Sequence, residues 1–570
     1  MFDKKQSYLF GNEPVKSIAE ITLSGNGAVK LTSTGDPFTD QFSLISQYRQ
    51  LRPYADIDKD MRTLWNINQL DAMKLVFYIR LVTRKVELLD GSETTSVQRG
   101  QGMKHEGIMR MIWVAINYPE VFYNNLPLFV AAGCWKDIFQ MMSYDIQFHG
   151  WKGKVLDWKT LGYFILAGLE NPNTCNLVKK YLPTIKARSK ARTLEAQADT
   201  IIGKYIAHRL FGKGQFKADQ YHSLNYKQYR QLKVSGTAHQ WQQQISRGKL
   251  NINFSTVHGR ALALLVSGNF LKNNNLETAY EEWILKQPVA KFTGYVYELF
   301  KGIEYNSPTY KKMTVDKQFG GLIETAKKGK KGMNTKSTFL VARDTSGSMS
   351  SNVNGTNVSS NDVAKAIALY FSYLLEGPFA SGYVEFASKP ILRLWNGKTP
   401  TEKYFNDRAE SYGSTNFLGI ADLFVEIFRK GTPINQFPKG LLCVSDGEFN
   451  RGQLYSGYGY QDSTQESKTN FALFKKKLLD AGFPKDYVDD FKIVLWDIPN
   501  SFYSREIRPK FEGYADTPGF FYMGGLDPSG IAFLLGQEPT PENPEPSTPK
   551  TARELFEAAM NQELLNLITI

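Results

Sequence analysis

At 570 residues the chain is too long for a single hydrophobic core, so two or more domains are expected. It is 42% hydrophobic and 22% charged, the composition of an ordinary folded protein. No apolar run reaches the roughly 18 residues of a membrane-spanning helix. The first residues, MFDKKQSYLFGNEP, lack the apolar stretch of a secretory leader. Cys134, Cys175 and Cys443 lie too far apart for a zinc or disulfide framework, so the reading is a reduced, cytoplasmic protein with no membrane partner.

After an N-terminal segment (1–50), the pattern from about 51 to 334 is helical. Apolar residues recur every three or four positions in AMKLVFYIRLV, GIMRMIWVAI and LGYFILAGL, and short turns such as LENPNT separate them. This predicts a HEAT-like array of stacked helix pairs. Near Thr335 the pattern changes. Strands are expected at 337–342, 383–387, 440–444 and 491–496, alternating with helices at 362–375, 417–429 and 471–481. That alternation predicts an α/β domain over 335–537 with a doubly wound, mostly parallel sheet. A proline-rich linker (538–550) leads to a final amphipathic helix (551–570), opened by Thr551 and Glu554 as a capping box. Leu555, Phe556, Ala559, Leu564 and Leu567 form its apolar face, expected to dock back on the chain.

Charge divides along the same line. Residues 337–570 hold 22 Lys/Arg against 28 Asp/Glu, leaving 47 against 28, a net of +19, for residues 1–336. Such asymmetry signals a polyanionic partner. Two windows contain no acidic residue. Asn171–Leu194 offers Lys179, Lys180, Lys186, Arg188, Lys190 and Arg192. Gln220–Leu276 offers Lys227, Arg230, Lys233, Arg247, Lys249 and Arg260, interleaved with Tyr221, Tyr226, Tyr229, Trp241 and Phe254. Cations contact phosphates and exposed aromatics stack on unpaired bases, so single-stranded RNA is the expected ligand, ahead of duplex DNA. A further lysine cluster, Lys327, Lys328, Lys330 and Lys331, precedes the α/β domain.

ArgAspThrSerGlySerMetSer at 343–350 places Asp-x-Ser-x-Ser at the end of a strand, where ligands of doubly wound sheets bind. Ser346 and Ser348 are hard-cation ligands, Asp344 supplies charge, and Gly347 lets the loop turn tightly. Thr415 follows 71 residues after Asp344, and Asp446 follows a strand 31 residues after Thr415. In that order the five residues resemble the metal-ion-dependent adhesion site of von Willebrand A domains. The resemblance implies a divalent cation, Mg²⁺ first and Mn²⁺ or Ca²⁺ next, open to a carboxylate from an acidic protein ligand. Walker A, Gly-x-Ser-x-Gly and His-Glu-x-x-His motifs are absent, so no enzyme activity is expected. A metal-assisted nuclease would need a second carboxylate, and Glu448 beside Asp446 is the one candidate.

LeuAspAlaMetLysLeuValPheTyrIleArg at 70–80, AsnLeuProLeu at 125–128, GlyCysTrpLysAspIle at 133–138, TyrArgGlnLeuLys at 229–233 and LeuTrpAspIlePro at 495–499 add a second resemblance. They are similar to the Ro ribonucleoprotein family and a TROVE-related group, in which a helical module precedes a von Willebrand A domain. That resemblance implies a helical ring closed by the A domain and a small non-coding RNA partner. The residues themselves also allow a metal-dependent interaction scaffold or viral structural component without RNA. Trp135, in the most distinctive segment, reads as helix packing.

Overall fold

The structure is a computed structural model. It describes residues 21–23, 29–44, 52–219, 223–236, 253–257, 259–292, 294–328, 339–353, 356–375, 378–409, 413–447, 449, 469–498, 511, 513–526, 528–534 and 548–570. The chain forms two compact units: Gln50–Val257 with Met560–Ile570, and Met1–Arg49 with His258–Ala559. The first is helical and the second is built on a sheet.

α1 (Pro37–Leu44) belongs to the sheet unit. The helical unit comprises α2 (Tyr54–Ile67), α3 (Gln69–Arg80), α4 (Lys104–Asn117), α5 (Pro119–Ala132), α6 (Lys136–Gly153), α7 (Trp158–Glu170), α8 (Cys175–Tyr181), α9 (Leu194–Phe211) and α10 (Ser223–Val234). Short polar residues start α3, α7 and α9 by binding free N–H groups. Asn68 accepts from Asp71, Asp157 from Lys159 and Thr160, and Thr193 from Ala196. α5 instead opens on Pro119, whose missing N–H costs nothing there. Trp135 is buried and stacks on Phe164, and Gly168 leaves room for its ring, since a Cβ there would lie 2.3 Å from it. The Gly-x-Trp segment is packing, as expected. Beside it, buried Asp137 pairs with Arg80 at 2.7 Å.

The last residues complete this unit. Leu564, Leu565 and Ile568 are buried. Glu563 accepts from the Thr95 N–H and hydroxyl at 2.9 and 2.8 Å. Buried Asn125 holds Thr569 by both backbone groups, accepting from its N–H and donating to its carbonyl. The final segment is thus not one long helix. It is α21 (Ala552–Met560), part of the sheet unit up to Ala559, followed by a short 3-10 turn, Leu565–Leu567. Thr551 does cap α21, accepting from the Glu554 N–H at 3.2 Å. Leu555, Phe556, Ala559 and Leu564 are buried as expected, but Leu567 is exposed.

The sheet unit opens with a small antiparallel pair, β1 (Ile21–Leu23) and β2 (Val29–Leu31). The main sheet contains β3 (Phe339–Asp344), β4 (Gly382–Phe386), β5 (Ile391–Leu394), β6 (Gly440–Ser445), β7 (Lys492–Asp497) and β8 (Phe520–Gly524). Their order is β5-β4-β3-β6-β7-β8, all parallel except β5. Leu340, Ala342, Leu441, Cys443, Ile493 and Leu495 alternate along three neighbouring strands into one core, shared with α18 (Leu418–Arg429), α19 (Asn470–Asp480) and α20 (Lys485–Asp490). This is the expected doubly wound, mostly parallel α/β sheet, following a helical array. The strand order reverses between β3 and β6.

The helices nearest this sheet in sequence, α11 (Gly259–Ser267), α12 (Phe270–Asn273), α13 (Glu277–Lys286), α14 (Val296–Phe300) and α15 (Thr309–Lys328), belong to the sheet unit rather than to a helical module running to 334. α14 packs on α16 (Ser360–Ser372) and α15 on α17 (Pro400–Asn406), while α11 and α13 pack on α15. Phe300 stacks on Tyr404 with ring centres 4.0 Å apart, and Asp316 accepts from the Thr401 N–H and hydroxyl. Residues 29–44 also join this unit: Leu31 bridges to Phe511, and Phe38 and Phe42 pack on Phe556.

Candidate functional site

Asp344 ends β3, and Ser445 ends β6 immediately before Asp446, so two acids meet where the strand order reverses. Both carboxylates are buried. One oxygen of Asp344 accepts from the Ser346 N–H at 2.8 Å, and the other from the Ser445 hydroxyl. The hydroxyls of Ser346 and Ser348 converge to 3.1 Å. Gly347, between them, has open space where a side chain would begin. Thr415 is buried ahead of α18, and the next residue, Asn416, donates its N–H to Ala387, just past β4. All five expected residues therefore lie at the carboxyl edge of the sheet.

The electrostatics are those of two like charges brought together out of water. Burial, and then the charge of Asp446, push the Asp344 carboxyl up to about 7. Two features of the site carry no sequence motif. Ser445, which reads only as part of the strand, supports both Asp344 and, through the Gly447 N–H at 2.9 Å, the turn after Asp446. Lys30, from β2, is buried with its ammonium on the Gly447 carbonyl and 5.6 Å from the Phe449 ring centre. No local pattern marks Lys30, because it lies more than three hundred residues from the loops it meets. Arg343, adjacent to Asp344, points elsewhere: its guanidinium pairs with Asp407 at 2.6 Å and donates to Asn361. Glu448 lies outside the described residues.

The basic windows meet in the helical unit. α10 packs on α8 and α9, and a Cβ at Gly236 would lie 3.0 Å from the Lys179 side chain. Lys180, Lys186, Lys190, Arg192, Lys227 and Arg230 are exposed. Lys179 is half-buried. Lys233 is engaged in the fold: its ammonium donates to the Leu182 carbonyl at 2.6 Å and the Thr184 hydroxyl at 2.7 Å, just past α8. Burial lowers its pKa. Tyr226, Tyr229 and Phe254 are core residues, with the Tyr229 hydroxyl on the Pro183 carbonyl, so they offer no stacking face. Arg247, Lys249, Tyr221, Trp241, Lys330 and Lys331 lie outside the described residues, as do the side chains of Arg188, Arg260, Lys327 and Lys328.

A family model, "Domain of unknown function (DUF7788)", matches residues 339–551. This part of the chain, the sheet with its carboxyl-edge site, is similar to that domain. Over its length the chain is similar to the crystal structure of the Deinococcus radiodurans Ro (RSR) protein, at 11% identity and a TM-score of 0.35, covering 87% of this chain and 96% of that one. No curated protein matches the sequence. No helix among the described residues is long and apolar enough to cross a membrane.

Proposed function

We propose that the chain is a binding protein for small or single-stranded RNA, rather than an enzyme, and that its α/β domain holds a divalent cation. The observation supporting the RNA reading is the packing of α8 against α10. It brings together two acid-free windows, separated in sequence, whose exposed residues include Lys186, Lys190, Lys227 and Arg230. Concentrated exposed cations bind phosphate backbones by releasing counterions, independently of base sequence. With Tyr226 and Tyr229 in the core, recognition here is of the backbone.

Replacing Lys186, Lys190, Lys227 and Arg230 together with Gln is expected to weaken single-stranded RNA binding and to reduce the log–log salt slope by about 3, at roughly 0.7 for each phosphate no longer neutralised. Lys233→Gln should lower Tm and leave that slope unchanged, because its ammonium serves the end of α8. An unaltered slope in the fourfold variant would mean that RNA does not bind at this surface.

The donor set at the sheet edge suits a hard cation. Two buried acids raise each other's cost, and hydroxyls rather than soft sulfur or imidazole surround them. Asp344, Ser346, Ser348, Thr415 and Asp446 would hold Mg²⁺, with Mn²⁺ or Ca²⁺ as substitutes. A cation held mainly by neutral hydroxyls would offer an electrophilic position to a carboxylate of an acidic protein, or to a phosphate.

A further inference from the structure

A cavity of about 260 Å³ opens within the sheet unit, between α11, α14 and α15, and none of the carboxyl-edge residues lines it. Its size is near the lower end of the roughly 300–1,000 Å³ of small-ligand pockets. Its walls are apolar: Leu264, Val266, Phe292, Leu299, Ile303 and Val315. On the floor is Gln318, fully buried, whose amide N–H donates to the Gly259 carbonyl at 3.1 Å. That bond fixes the orientation of the amide and leaves the Oε1 acceptor without a partner among the described residues. An unmet buried acceptor is costly, so the site calls for a donor. The half-buried Glu298 carboxylate also lines the cavity and accepts from the Tyr295 N–H at 3.4 Å. Leu264, which is 65% exposed, exposed Lys301 and half-buried Lys311 also line it. Lys301 donates to Asn357 and Lys311 to the Ser267 carbonyl, so both are held in place.

We propose that this cavity binds one unpaired nucleotide. The three parts of the site call for different groups on one molecule. Apolar walls with a phenyl ring suit a flat base, acceptors at the floor suit its N–H donors, and cations at the mouth suit a phosphate. Gln318 and Glu298 favour bases with an exocyclic amine, so uridylate is the weakest of the four. The nucleotide is either free or one residue of a strand, the latter resting on the RNA reading above.

The test is calorimetric titration of the full chain with AMP, CMP, GMP and UMP, and with a short unpaired RNA. Gln318→Leu removes the acceptor. Leu264→Trp blocks the mouth from an exposed position and serves if Gln318→Leu does not fold. Either variant should weaken binding roughly tenfold or more, since a site built for a hydrogen bond discriminates strongly. Mononucleotide binding that both folded variants reduce identifies a free nucleotide as the ligand. Loss confined to the RNA identifies a base within a strand. If no mononucleotide binds and neither variant alters RNA affinity, the cavity holds only water and the proposal fails. The basic-surface reading is then judged separately, by its salt slope. Failure of the wild type to bind any RNA overturns that reading and leaves the mononucleotide arm to decide this one.

Discussion

Asp344→Asn is expected to be blind to Mg²⁺ and, in the absence of metal, more stable than the wild type above neutral pH. A hundredfold excess of Mg²⁺ over its Kd stabilises a binding-competent fold by about 2.7 kcal/mol, roughly 5 to 10 °C in Tm for a large domain. The wild type should show that gain, and the variant should not. The opposite effect without metal follows from burial. The folded-state pKa of Asp344 is raised to about 7, by burial and then by Asp446, from an ordinary aspartate value of about 4. A group raised in this way binds its proton more tightly in the folded than in the unfolded chain. The metal-free wild type therefore loses stability as pH rises from about 4 through about 7, by up to about 4 kcal/mol. Asparagine carries no charge and removes that slope. Thermal melts in chelator and in Mg²⁺, across this pH range, check both halves. A wild type whose Tm ignores Mg²⁺, with a pH profile matching the variant's, would mean that the two acids do not form a cation site.

Ending the chain after Met560 is expected to destabilise the helical unit by several kcal/mol. Leu564, Leu565 and Ile568 are buried there, and each is worth about 1.5 to 3 kcal/mol on transfer from water. The entropy of ordering the tail offsets part of that gain. Asn125 adds a penalty, because its amide is fully buried and truncation removes both of its bonds to Thr569. Leaving such groups unmet costs about 1 to 3 kcal/mol each. Glu563 contributes a smaller, pH-dependent part. Burial raises its pKa, but the Thr95 and Ser96 donors outweigh burial and hold it below the usual value. Its contribution is therefore present at neutral pH and is lost as pH falls through the depressed pKa. The check is a denaturant melt of the truncated chain followed by a probe in the helical unit, such as the fluorescence of Trp135. An unchanged midpoint would show that the tail is dispensable.

What can be read from the sequence follows the range over which each signal acts. The short apolar runs in FLVARD and GLLCVS, and the helices between them, are local signals, and those strands and helices fall within a few residues of expectation. The five residues of the carboxyl-edge site are legible because each sits at a strand end or loop with its own motif. β5 carries no such signal, because it is an exposed edge strand without a buried face. The Phe520–Gly524 run is as apolar and buried as the other strands, yet it is not among the expected ones. Lys30, Asn125 and Glu563 act through bonds spanning hundreds of residues, which no local pattern records. The same limit explains the split of the helices. α11–α15 look like the helices before them, but α14 and α15 pack on α16 and α17, later in the chain, and α11 and α13 pack on α15. Basic residues interleaved with tyrosines suggest stacking, yet helical spacing turns Tyr226 and Tyr229 into the core and leaves Lys227 and Arg230 outside.

Binding of single-stranded RNA through the basic surface of the helical unit is most directly tested by one titration. The wild-type protein is bound to a labelled unpaired RNA across a salt series, with duplex DNA of equal length in parallel. The expected result is binding to RNA ahead of duplex DNA, falling steeply and linearly in log–log form as salt rises. Absence of RNA binding at low salt would contradict it and leave the carboxyl-edge site as the chain's means of gripping an acidic protein partner.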